Sequence, residues 1–295
     1  MKRILLVLCF GFCLSSLAAG EEIKTENIEK SMASPEKLEY GGYKIERVCK
    51  MNRFVTCNYT VSKDGKKLVT FPAELAGQET GAMFGEGKIE HTDFLKTGLL
   101  KLTGTPLETK DLAFKGFEPE LVLMTFSGGA HCCWDYKIYS LFPEFKEIFA
   151  VEKWATGYGI AIADLDKDGA QELIQTSLVY DYGFDRPHVD SAFPLVVFKY
   201  NAKFKQYLPA NREFTEYLLQ ELKKIPLTPV DNEKDPAYSP LIMNVITLLY
   251  LGQDSEAWEK FDKYFKLKNK EALRKEILRI ISKDPAYIFL SSSKK

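Results

Sequence analysis

The first stretch where hydrophobic and polar positions alternate regularly spans Tyr43–Val48 and Phe54–Val61, rich in β-branched and aromatic residues. This period-2 pattern predicts two strands around a Met51-Asn52-Arg53 turn. Lys63-Asp64-Gly65-Lys66 predicts a second tight turn centred on Asp-Gly, with Lys67–Phe71 continuing as a strand. From Pro72 to Gly98 periodicity fades and glycine rises, which predicts loop. Leu99–Thr103, Glu120–Phe126, Tyr136–Phe142, Gly159–Ala163, Glu172–Val179 and Pro194–Tyr200 read as further strands. Several are unbroken apolar runs, as expected of strands covered on both faces.

Near Asn211 the period changes. Phe214, Tyr217, Leu218, Leu222 and Ile225 fall at helical spacing, and Pro226–Pro240 reads as a proline-rich polar linker. Leu241–Leu251 predicts an apolar helix stopped by Gly252. Asp254 or Ser255 can cap the next helix, with Ala257, Trp258, Phe261 and Phe265 on one face. Glu271–Ser282 completes the set with Leu273, Ile277, Ile280 and Ile281 inward. The pattern predicts an α+β chain: a β-rich repeat domain over residues 41–210, then a small C-terminal helical unit over 211–290.

Residues 1–20 carry a different signal. Lys2 and Arg3 precede the apolar run Ile4–Phe12, and the small residues Ala18-Ala19-Gly20 follow. That is the layout of a cleavable secretory signal peptide, with an apolar core short of the roughly 20 residues a membrane span needs. The expected location is periplasmic or extracellular. No later stretch is long and apolar enough to predict a transmembrane segment. Residues 21–40 are polar and predict a mobile N-terminal arm. Forty basic residues against 41 acidic ones, with no long basic run, argue against nucleic acid as a partner.

Two middle segments resemble each other. Asp111-Leu112 through Glu120-Leu121-Val122 parallels Asp164-Leu165 through Glu172-Leu173-Ile174, and Phe145-Lys146 parallels Phe204-Lys205. The offset of about fifty residues fits a blade-sized repeat, propeller-like or sandwich-like. Only the second copy carries a full set of acidic residues. There Asp164, Asp166 and Asp168 alternate before Gly169, and Glu172 follows. Calcium takes about six to eight oxygen ligands, which alternating carboxylates on a tight loop can direct at one point. A backbone carbonyl near Ala170 would add an oxygen, and Glu172 would close the shell. Gln175 stands where an EF-hand would carry its bidentate glutamate, and strands rather than helices flank the loop.

The stretch Ala163–Ile174 resembles the calcium loop of FG-GAP/VCBS-type β-repeats. Ser127-Gly128-Gly129-Ala130-His131-Cys132-Cys133 is similar to a segment of a poorly characterised family of exported bacterial proteins that carry such loops. The resemblance implies a structural Ca2+ between two strands. It also implies a binding or scaffold role toward a protein or cell-envelope component.

Cys49, Cys57, Cys132 and Cys133 remain after signal removal, an even number that predicts disulfide bonds in an oxidising compartment. One pairing bridges the hairpin through Cys49 and Cys57 and leaves Cys132 and Cys133 as a vicinal pair. The other ties the hairpin to the Cys132-Cys133 segment by two bridges. A zinc site of His131, Cys132, Cys133 and His188 is disfavoured because adjacent residues do not reach one tetrahedral ion together. No catalytic motif is present. Trp134, Tyr180, Tyr182 and Phe184 are candidate binding-surface aromatics on loops. The rival reading is a secreted hydrolase using Asp181, Asp185 and Asp190; a third is a purely structural envelope protein.

Overall fold

A computed structural model describes residues 37–40, 42–51, 55–73, 80–84, 120–126, 134–141 and 143–292. The signal stretch, the strand expected at Leu99–Thr103 and the first-copy segment beginning at Asp111 lie outside them. The architecture is a mixed α+β fold with a small curled sheet and C-terminal helices.

Twelve strands form three four-stranded antiparallel sheets among the described residues. The first holds β1 (Lys37–Tyr40), β2 (Tyr43–Met51), β3 (Val55–Lys63) and β4 (Lys66–Ala73). The second holds β5 (Thr80–Phe84), β6 (Glu120–Phe126), β7 (Trp134–Ser140) and β8 (Lys146–Ala150). The third holds β9 (Thr156–Ala163), β10 (Glu172–Ser177), β11 (Leu195–Asn201) and β12 (Gln206–Pro209). Each sheet keeps its strands in chain order. The Asp64-Gly65 turn works as the sequence predicts: φ is +48° and +77° at its two central residues, the twist a two-residue hairpin needs.

Some expectations move. β1 begins inside the stretch read as a mobile arm, because Lys37–Tyr40 pairs with Lys44, Ile45, Glu46 and Tyr43 across a turn. β5 falls inside the stretch read as loop; it pairs with Leu121–Thr125 of β6, a partner that local periodicity does not reveal. β8 and β12 are short strands whose ends of chain pairing, rather than local pattern, define them.

The expected disulfides are not formed. Among the described residues no disulfide bond is found. Cys49 and Cys57 are direct register partners of β2 and β3, while Cys132 and Cys133 lie outside the described residues. Opposed backbone positions do not suffice: a disulfide also needs a narrow range of Cβ separation and torsion.

Among the described residues the α-helices are α1 (Val151–Trp154), α2 (Thr215–Lys223), α3 (Tyr238–Tyr250), α4 (Asp254–Tyr264), α5 (Lys270–Ile281) and α6 (Pro285–Ser292). α3 ends as predicted. Gly252 takes φ +74°, its N–H donates to Leu249 O (3.0 Å), and the Gln253 N–H donates to Leu248 O (2.9 Å). These two bonds satisfy carbonyls that a helix end leaves open. Asp254 is the first residue of α4 rather than its cap.

One hydrophobic cluster runs from the second and third sheets into the helices. It joins Ile138, Phe149, Phe198 and Tyr207 to Leu241, Val245, Phe261, Ile277 and Leu290. Phe149 meets Phe198 edge-on at 5.0 Å, and Trp154 meets Phe289 of α6 at 5.8 Å. A buried polar knot reinforces the junction. Asp284 accepts hydrogen bonds at Oδ2 from Tyr250 Oη and from Ser177 Oγ (3.1 Å). Its Oδ1 accepts the N–H groups of Ala286 (2.8 Å) and Tyr287 (3.3 Å), capping α6. Burial, then the nearby charge of Asp284, holds the Tyr250 phenol well above its ordinary pKa, so it stays a donor. Among the described residues no helix is long and apolar enough to cross a membrane.

Candidate metal centre

The loop between β9 and β10 is a hairpin connection pinned at its base, where Ala163 and Glu172 are register partners. Its path needs left-handed backbone at Lys167 (φ +62°) and Gly169 (φ +94°). Glycine adopts that region without a steric penalty, which explains its place in the motif. The acidic side chains fold the loop on itself. Asp164 Oδ2 accepts the Gly169 N–H (3.2 Å), Asp166 Oδ1 that of Asp168 (3.3 Å), and Asp168 Oδ1 that of Ala170 (2.8 Å). Glu172 Oε2 reaches back to the Leu165 N–H at 2.8 Å.

Three carboxylates converge. Asp164, Asp166 and Glu172 each place an oxygen within 4.8 Å of the other two. Two oxygens in this group, Asp164 Oδ1 and Glu172 Oε1, are buried and have no hydrogen-bond partner. Leaving a buried acceptor unsatisfied costs about 1–3 kcal/mol, more for a charged group. Glu172 is fully buried, and desolvation pushes its carboxyl up to about 7 despite the Leu165 hydrogen bond. The donor set is oxygen-only and anionic, which fits a hard cation such as Ca2+ or Mg2+. Both carboxylates that carry an orphaned oxygen belong to the converging group.

Asp168 is turned elsewhere. Its Oδ2 lies 3.0 Å from Lys199 Nζ, which also pairs with Asp166 Oδ2. The Ala170 N–H bond, then Lys199, hold the Asp168 carboxyl below its ordinary range. Burial alone would lower the Lys199 pKa, but the two aspartates hold it above the usual value. Lys199 projects from β11, the strand beside β10, and therefore acts as an internal counter-charge. Sequence reasoning missed it because only sheet register brings it to a loop some thirty positions earlier. Ala170 is buried and contributes its N–H to Asp168.

The remaining candidates are dispersed. Asp181 Oδ1 lies 2.8 Å from His188 Nδ1, and the Asp190 carbonyl accepts from Ser239 Oγ. Asp185 lines a separate cavity beside α5. Among the described residues, Asp164, Asp166 and Glu172 form the one group of three potential ligands, so Asp181, Asp185 and Asp190 do not converge. Tyr180 is buried and stacks parallel to Phe184 at 6.5 Å, whereas Tyr182 is 62% exposed. Trp134 opens β7 opposite Phe126.

No protein-family model, no curated protein and no solved structure matches the chain.

Proposed function

We propose that the chain is an exported protein, periplasmic or extracellular, whose β9–β10 loop holds a structural calcium ion. In this reading it acts as a binding or scaffold module for a protein or envelope component. The observation that carries it is the pair of buried, unpartnered oxygens on Asp164 and Glu172, within a group that among the described residues is made of carboxylates alone. Calcium suits the loop better than zinc, which favours histidine and cysteine.

The FG-GAP/VCBS-type reading gains support from topology. The second and third sheets are both up-and-down meanders, and Glu120 opens the second strand of one as Glu172 opens the second strand of the other. Four-stranded meanders repeated at this spacing are the organisation of propeller blades.

The test is a thermal melt with calcium, with magnesium and with chelator. An ion that binds only the folded state, present at about 100 times its dissociation constant, adds roughly 2.7 kcal/mol. We expect a calcium-dependent rise that Asp164→Asn abolishes. No rise with either ion, and no metal in the purified protein, would overturn the reading.

A further inference from the structure

The segment after β10 departs from ordinary backbone geometry. Tyr182, Phe184 and Asp185 all take positive φ, at +54°, +59° and +56°. Left-handed backbone at non-glycine residues is strained, and persists where surrounding contacts over-determine it. Those contacts are present. The Tyr182 N–H donates to Ser191 Oγ (2.9 Å), the Gly183 N–H to Tyr180 O (2.9 Å), and the Arg186 N–H to Gly183 O (3.1 Å). The Arg186 guanidinium sits 3.9 Å from the centre of the Tyr238 ring. The result is a braced loop that holds the Tyr182 ring out and sets Asp185 on the wall of a cavity.

The cavity measures about 440 Å³, within the range that takes a small organic ligand. The loop forms one wall and the C-terminal part of α5 with Lys283 the other. Phe184 and Ile280 supply apolar surface between them. Four charged side chains line the space, and two cancel. Arg279 binds Glu276 in a bidentate pair at 2.7 and 2.6 Å. The other two are Asp185 on the loop and Lys283 on the helical wall. Neither side chain makes a hydrogen bond or ion pair among the described residues. Lys283 also lies close enough to Glu276 to interact with it electrostatically; two charges of opposite sign, each without a direct ion pair, thus line one cavity from its two walls, with aromatic and aliphatic surface between.

We propose that this cavity binds a small zwitterion with an apolar body, an amino acid or a short peptide with free termini. Asp185 takes the ligand's ammonium, Lys283 takes its carboxylate, and the apolar body lies against Phe184, Ile280 and Tyr182. A purely anionic or purely cationic ligand leaves one wall unanswered and meets a like charge, which is how such a pair discriminates. The site lies past the far end of β10 from Glu172, and a six-residue strand spans roughly 20 Å, so the proposal stands apart from the calcium reading.

The test is calorimetric titration of the full chain at neutral pH with alanyl-phenylalanine, its N-acetyl derivative, its C-terminal amide and free phenylalanine. We expect saturable binding of the dipeptide, with each blocked derivative at least tenfold weaker. Asp185→Asn should erase the difference between the dipeptide and its N-acetyl form. Lys283→Met should erase the difference between the dipeptide and its amide. Both positions are exposed, so these variants fold, and circular dichroism checks that they do. Phenylalanine binding as tightly as the dipeptide supports the same site and names the amino acid as its ligand. No saturable binding, or equal binding of zwitterionic and blocked forms, overturns the proposal.

Discussion

Replacing Glu172 with glutamine should stabilise the ion-free protein at alkaline pH while impairing ion binding. Glu172 is fully buried, and in the ion-free fold its carboxyl titrates near 7 against an ordinary value of 4.5. Between those values the unfolded chain has released this proton and the native state still holds it. The native state therefore binds more protons, and stability falls as pH rises through the window. The contribution is fully present below 4.5 and lost once pH passes about 7. At about 1.4 kcal/mol per pH unit, the loss is on the order of 3 kcal/mol. Glutamine carries no charge to desolvate. It keeps an oxygen for the Leu165 N–H and places a neutral amide where the bare Oε1 stood. Urea denaturation in chelator at pH 5 and pH 8 measures the effect. We expect Glu172→Gln to exceed the wild type by about 3 kcal/mol at pH 8 and by much less at pH 5. In saturating calcium the order should reverse, because the wild type gains binding energy that the variant lacks. A variant no more stable than the wild type at pH 8 in chelator would refute the reasoning, since Glu172 would then carry no desolvation cost.

Two further substitutions probe the loop and the sheet–helix junction. Lys199→Met removes the ammonium that competes with an ion for Asp166, while keeping an alkyl stem beside Phe214. Partly exposed ion pairs are worth about 0.2–1 kcal/mol each, so losing the Asp166 pair should raise calcium affinity roughly 1.4- to fivefold, read by competition with a chelating dye; unchanged or weaker affinity would count against the counter-charge role. Asp284→Ala strips the cap from α6 and leaves the Tyr250 and Ser177 hydroxyls without their acceptor. A lost cap of about 1 kcal/mol and buried unsatisfied groups at about 1–3 kcal/mol predict a loss of about 3 kcal/mol or more by urea denaturation, whereas a loss below about 1 kcal/mol would show the knot to be dispensable.

Much of the fold is legible in the sequence because its signals are local. The Asp64-Gly65 turn, the Gly252 stop and the inward faces of α4 and α5 each depend on a few neighbouring residues. What escaped depends on register. β5 is a strand only because β6 lies beside it, and β8 and β12 are too short to show a period of their own. α6 follows α5 after a break of three residues, too close for its start to stand out, and its cap at Asp284 serves equally as an acceptor for distant Tyr250. The acidic loop was visible as a spacing. That Asp168 would leave the group for Lys199 was not, since strand pairing sets that contact. The cavity was half visible: its aromatic loop stood out, but its second wall lies nearly a hundred residues later.

β10 itself argues for a cation at the mouth of the loop. Every polar side chain after Glu172 on this strand is answered. Gln175 Oε1 accepts from Thr156 Oγ1 at 2.7 Å, Thr176 Oγ1 donates to Gly157 O at 2.9 Å, and Ser177 Oγ donates to Asp284 at 3.1 Å. The packing here is able to satisfy buried polar groups, as native interiors do in the great majority of cases. Glu172, equally buried on the same strand, keeps one oxygen bare, and so does Asp164 across the loop. A misplaced donor could explain one such atom. Two carboxylate oxygens left bare within the same group suit a partner that answers both together, and a divalent cation, which draws the Glu172 proton off, does so where a single protein N–H does not.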